Sequence, residues 1–162
     1  MNNHQPMIVV RKSAGELRLY DGSAGIHTYR CITGTYPGDK QRQGDRITPL
    51  GKFLVVYKNP QSKFHLSLGL NYPTLEDAQR GLATRLIDAA TYQALVYDIL
   101  CGDMNDPAVQ DRVWNTPLGG EIFIHGGAEG RTHTAGCVAV TNADITEIYN
   151  VCPVGTPVEI LP

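Results

Sequence analysis

The first seventy residues form a succession of short runs in which apolar and polar side chains alternate or β-branched residues cluster, each run closed by a turn signal. This period of two commits the chain to a β-rich fold. Ile8-Val9-Val10, Leu17-Arg18-Leu19-Tyr20 and Ile26 to Thr33 are separated by Ser13-Ala14-Gly15 and Asp21-Gly22, the pattern of a meander. A polar stretch from Gly34 through Gly44, ending at Ile47-Thr48-Pro49-Leu50-Gly51, reads as a surface loop. Lys52 to Tyr57 and Phe64 to Leu70 then resume strand patterns. The chain's 17 glycines and 10 prolines supply many turns and argue against a helix bundle.

Helical signals are confined to the middle and the end. Thr74 stands three residues before Asp77, a capping-box spacing, and Asp88 opens a segment in which Tyr92, Leu95, Val96, Ile99 and Leu100 fall on one helical face, ending near Cys101-Gly102. A polar connection follows. Glu121 to His125 reads as a strand, Cys137 to Val140 as a short strand, and Thr141 or Asn142 opens a last helix burying Ile145, Ile148, Tyr149 and Cys152 before Pro153 stops it. Thr156 to Leu161 closes the chain as a strand. The expectation is one β-rich α+β domain over residues 1–162, with 1–6 as a tail and no internal repeat.

Fourteen Lys and Arg against sixteen Asp and Glu give a net charge of −2, and the basic residues are scattered apart from Lys40 to Arg46, which argues against nucleic acid as a partner. No run approaches the ~20 apolar residues of a membrane span. Met1 to Pro6 is polar with no apolar segment behind it, so no export signal is read. The four cysteines form no C-x-x-C pair, and Cys31, Cys101 and Cys152 read as small buried hydrophobes.

The chemistry concentrates between His125 and Cys137. A strand-end histidine and a strand-start cysteine flank a glycine-rich loop, so adjacent strands would bring an imidazole beside a thiol. A free thiol has a pKa near ~8.5 and needs such a neighbour to attack at neutral pH. The backbone of Ala135-Gly136-Cys137 offers consecutive N–H groups to an oxyanion, with Gly136 permitting an unusual φ. Taken alone, a histidine and a cysteine twelve residues apart fit a structural role as readily as a catalytic one.

Thr134-Ala-Gly-Cys137, following Ile122 to Gly126, resembles the His-Gly, variable loop, Ser/Thr-x-Gly-Cys pattern of the L,D-transpeptidase (YkuD-like) family. Ile47-Thr48-Pro49-Leu50-Gly51-Lys52-Phe53 resembles its Thr-Pro-x-Gly-x-Phe segment. Phe64 to Pro73, Leu118 to Ile122 and Gly155 to Ile160 also look like the family, so the similarity runs from about residue 8 to residue 161. The fold it implies is the YkuD type, two packed mixed sheets with peripheral helices. The resemblance implies Cys137 as nucleophile and His125 as general base, the carbonyl of Gly126 orienting the imidazole, and Thr134 supporting the loop. Many members carry Arg two residues after the cysteine, where this chain has Ala139; the YafK-type, Thr-x-Gly-Cys members are closer in this respect.

The reaction implied is cysteine acyl transfer on peptidoglycan stem peptides in the periplasm or cell envelope, inhibited by carbapenem-type compounds and requiring no cofactor. Alternatives are an L,D-carboxypeptidase or amidase, including one delivered as a secreted antibacterial effector, and a wall-binding domain whose chemistry has lapsed. His133 is a candidate substrate contact or alternative base, or simply an exposed loop histidine. Tyr72, Arg46 and Arg131 are candidate cleft residues. His27 and His65 read as strand residues and His4 as part of the tail. Zinc would need a fourth ligand beside His125, His133 and Cys137, and none is apparent, so no metal is expected.

Overall fold

The computed structural model describes residues 5–22 and 25–162; His4 and most of the expected tail lie outside the described residues. Alternating burial builds the meander: β1 (Met7–Arg11), β2 (Glu16–Asp21) and β3 (Gly25–Arg30) pair antiparallel, turning Ile8, Val10, Leu17 and Leu19 inward. The last strand, β8 (Pro157–Leu161), inserts between β1 and β4 (Gly51–Ser62), parallel to the first and antiparallel to the second. β5 (His65–Leu70), β6 (Phe123–His125) and β7 (Val138–Ala139) complete an eight-stranded order, β3-β2-β1-β8-β4-β5-β6-β7.

The two expected sheets are thus two halves of one curled mixed sheet. The twelve-residue β4 serves both: Gly51 to Leu54 pair with β8, while Val55 to Ser62 pair with β5 across two register shifts. Irregularities of this kind bend a strand and let a sheet curl. The curl brings Ile32, just beyond β3, against β7 at the opposite end, where Ile32 and Ala139 exchange two backbone hydrogen bonds of 2.9 Å.

Thr74 caps α1 (Leu75–Ala83) through the expected capping box with Asp77, Asp88 caps α2 (Ala89–Cys101), and Thr141 caps α4 (Asn142–Val151). α4 buries Ile145 and Ile148 against the sheet core, and its C-cap residue Cys152 joins them there. A second apolar cluster gathers Ala78, Ile87, Leu95, Val113, Trp114 and Leu118 around the middle helices. Among the described residues no helix is long and apolar enough to cross a membrane.

Three expectations need correction. The polar connection after Gly102 contains a helix, α3 (Pro107–Trp114), started by Asp106 as N-cap and Pro107 in the first turn. Leu100 is 64% exposed, because the buried face of α2 is narrower than its apolar periodicity and centres on Leu95. Cys101 is exposed at the end of α2, whereas Cys31 and Cys152 are buried; all four cysteines are free thiols.

Ile124 is fully buried and paired in register with Val138. Replacing it with alanine should cost about 2–5 kcal/mol in urea unfolding. Leu100→Ala should stay within about 0.5 kcal/mol of wild type.

Candidate active site

β6 and β7 run parallel with Ile124 opposite Val138 and His125 opposite Ala139. Side chains of a strand alternate between faces, and Cys137 immediately precedes β7, so His125 and Cys137 lie diagonally across the same face of two neighbouring strands. The loop joining them spans Gly126 to Gly136.

Each partner is fixed by backbone groups. The thiol of Cys137 donates to the carbonyl of Glu121 at 3.3 Å and accepts from the N–H of Phe123 at 3.4 Å. Glu121 is in the left-handed region at φ 54°, and the expected strand starts two residues late, with β6 beginning at Phe123. His125 is 2% exposed and its Nδ1–H donates to the Gly126 carbonyl at 2.6 Å. Nε2 is therefore the basic nitrogen. Phe64 stacks on the imidazole with centroids 4.2 Å apart and planes at 17°. A side chain at Gly126 would collide with Asn142 Oδ1 and the Phe64 carbonyl, at 2.6 and 2.7 Å from an added Cβ.

The loop before Cys137 is wound around Thr134. Its buried hydroxyl donates to the Cys137 carbonyl at 2.6 Å and accepts from the Gly136 N–H at 3.1 Å, while its own N–H donates to Thr33. Gly136 sits at φ 144°, which favours glycine. The expected run of free N–H donors is accordingly shorter: Gly136 is engaged by Thr134, and the Cys137 N–H has no protein partner among the described residues.

Electrostatics favour uncharged partners. Burial pushes the Cys137 thiol up to about 11, against a smaller opposing effect from the Phe123 N–H. Burial also lowers the His125 pKa, partly offset by the Gly126 carbonyl, with Arg131 and Lys63 lowering it further. Both shifts favour a thiol beside a neutral imidazole over a thiolate beside an imidazolium. The thiol's hydrogen bonds go to backbone, not to the His125 ring.

A cleft of about 700 Å³ lies over the pair, lined by Cys137, His125, Gly136, Ala135, Thr134 and Arg131, among others. Three expected cleft residues are not in it. Tyr72 is buried in the core with its hydroxyl donating to the Leu118 carbonyl at 2.8 Å, so it is no surface for substrate. Arg46 is exposed and donates from Nε to Thr35, and His133 is exposed with Nδ1 beside Thr132. His133 also does not join His125 and Cys137 as a ligand set; among the described residues no three metal-ligating side chains gather. Conversely Phe64, Lys63, Lys40, Tyr57, Trp114 and Phe123 line the cleft without having been singled out for it. For Phe64 the signal was its place beside the strand that pairs with β6; Trp114 arrives on the helix that went unread.

Thr134→Val removes both hydroxyl bonds and should cost about 1–3 kcal/mol in chemical unfolding. Any reaction of Cys137 with an acyl donor should slow by about tenfold or more through lost positioning. Thr134→Ser should retain most of both.

The L,D-transpeptidase catalytic domain (YkuD) family model matches residues 5–160. Among solved structures, the helical cell shape determining protein Pgp2 from Campylobacter jejuni superposes with a TM-score of 0.61 at 23% identity, over 96% of this chain and 47% of that one. Bd1075 from Bdellovibrio bacteriovorus gives 0.59 at 19% identity, over 97% and 48%. L,D-transpeptidase 1 from Mycobacterium tuberculosis gives 0.51 at 13%, over 97% and 59%. At these identities the likeness establishes the fold, and this chain spans about half the length of the first two. No curated protein matches by sequence. With the family model covering nearly the whole chain, this protein belongs to the L,D-transpeptidase catalytic domain family.

Proposed function

We propose that this chain is a cysteine acyltransferase acting on peptidoglycan stem peptides in the cell envelope, with Cys137 as nucleophile and His125 as its base. The observation that carries this reading is the pairing of a cleft-lining thiol with an imidazole on the same face, whose Nδ1–H is held by Gly126 and whose Nε2 is left as the basic nitrogen.

In the proposed reaction the thiol turns from the Glu121 carbonyl toward Nε2, which takes its proton as sulfur attacks the carbonyl carbon. That carbonyl joins the L-centre of a meso-diaminopimelate residue to a terminal D-residue. The carbonyl oxygen becomes an oxyanion received by the Cys137 N–H. Collapse of the intermediate breaks the C–N bond, His125 returns the proton to the departing amine, and a thioester remains on Cys137. An amine from a second stem then forms a crosslink, or water releases the acid; both acceptors use the same thioester. Thr134 holds the loop so that the Cys137 N–H and sulfur keep their relative placement.

Intact-mass analysis tests this directly. Incubation with a carbapenem should add one inhibitor mass to the wild type and none to Cys137→Ala. A disaccharide-tetrapeptide should lose its terminal D-alanine with wild type alone. His125→Gln, which keeps the size but not the base, should reduce adduct formation by about 10²–10⁴-fold. Dimeric muropeptides would assign transfer, and tripeptide alone would assign hydrolysis. Folded, reduced protein that forms neither adduct nor product would overturn the reading in favour of a wall-binding role.

A further inference from the structure

His125 has a neighbour on each side in the sheet. In the strand order β5-β6-β7, β7 brings Cys137 to one side of the histidine, and β5 brings Ser67 to the other, directly opposite it in register. Alternate pairs of an antiparallel ladder carry the backbone bonds. Here those bonds join Gly126 to Leu66 at 3.3 Å and Leu70 to Ile122 at 2.9 Å, which leaves Ser67 and His125 as a pair that exchanges none. Pairs of that kind approach closest, with Cα atoms about 4.5 Å apart. Both side chains face the cleft.

Ser67 is 3% exposed, yet among the described residues its hydroxyl makes no hydrogen bond. The imidazole opposite spends Nδ1 on the Gly126 carbonyl, and Asn59, the other cross-strand neighbour of Ser67 on β4, accepts from the Gln61 N–H. A nearly buried hydroxyl needs a partner, and this one finds it only in a group that enters the cleft. Alanine would fill the position without that demand, so packing alone does not account for a serine here.

The second half of acyl transfer makes a matching demand. Water and a neutral primary amine each carry two hydrogens and a lone pair on the attacking atom. With the lone pair aimed at the thioester carbon, one hydrogen goes to Nε2, the basic nitrogen of His125. The other needs an acceptor beside the imidazole, on the side away from sulfur. The Ser67 oxygen is the side-chain acceptor that the register brings there.

We infer that Ser67 is a positioning residue for the second step, its hydroxyl accepting the spare hydrogen of the attacking water or amine and aligning that group between His125 and the thioester. The inference rests on the acyl-transfer reading above. Attack forms the new C–O or C–N bond as one proton passes to Nε2, and the thioester oxygen becomes an oxyanion at the Cys137 N–H. Collapse breaks the C–S bond, and the imidazolium returns its proton to sulfur. Thiol and neutral imidazole are restored, and an acid or an amide leaves. Ser67 gains and loses no proton.

The test loads Cys137 from a synthetic tripeptide stem activated as a thioester, which bypasses the departing D-residue, and follows the acyl mass on the protein as it forms and is lost. Wild type should release free tripeptide in buffer and a dimer when an acceptor stem is added. Ser67→Ala, checked for an unchanged melting temperature, should slow that release about three- to tenfold, the scale of one neutral hydrogen bond, and should slow loading by less. Ser67→Thr, which keeps the hydroxyl, should stay within about twofold of wild type. Slowing in buffer alone assigns the hydroxyl to water, and slowing of dimer formation alone assigns it to the amine. Release from Ser67→Ala at the wild-type rate, loading slowed as much as release, or an acyl group that wild type itself does not shed would overturn the role of Ser67 while leaving the thioester intact. Wild type that never gains the acyl mass would instead overturn the acyl-transfer reading, and this inference with it.

Discussion

The parallel register between β6 and β7 is the constraint on which the site depends. Pairing Ile124 with Val138 aligns His125 with Ala139 and sets Cys137 diagonally beside the imidazole. A slip of one residue would turn one partner to the opposite face. The register is enforced from both sides, because Ile124 and Val138 are fully buried and Ala139 is bonded on its other edge to Ile32. Curling the sheet until the chain beyond β3 meets β7 therefore stabilises the strand that carries the thiol, and the bends in β4 make that curl possible.

Within this frame the backbone does most of the positioning. The Gly126 carbonyl selects the tautomer of His125, the Glu121 carbonyl and Phe123 N–H hold the sulfur, and Thr134 occupies the Gly136 N–H while leaving that of Cys137 open. Burial favours the neutral form of both partners, raising the thiol and lowering the imidazole. That bias works against a standing thiolate, the form most open to oxidation. In the mechanism proposed here, the charge develops only when a substrate carbonyl arrives and the proton moves to Nε2.

Much of this was legible in the residues, since strand period, cap residues and glycine placement are local signals. The meander, the caps at Thr74, Asp88 and Thr141, and the strand–loop–strand unit bearing His125 and Cys137 all follow from short windows of sequence. α3 was less visible because its eight residues bury only Val109, Val113 and Trp114, although Asp106-Pro107 marked its start. The walls of the cleft were less legible still. Phe64 reaches His125 through the pairing of β5 with β6, and Tyr72, beyond the far end of β5, is buried in the core. Sequence proximity to a motif placed Arg46 and His133 near the site, but their side chains lie outside the cleft.

In the mechanism proposed above, Cys137 reacts as a neutral thiol through the neutral imidazole of His125. The most direct measurement is the single-turnover rate of carbapenem acylation against pH. The rate should rise as His125 loses its proton, below the ordinary histidine value of 6.5, and then stay flat from about pH 7 to 9, well short of the thiol at about 11. A rate that instead climbs about tenfold per pH unit through that window would mean that free thiolate is the reactant and that His125 is not its base.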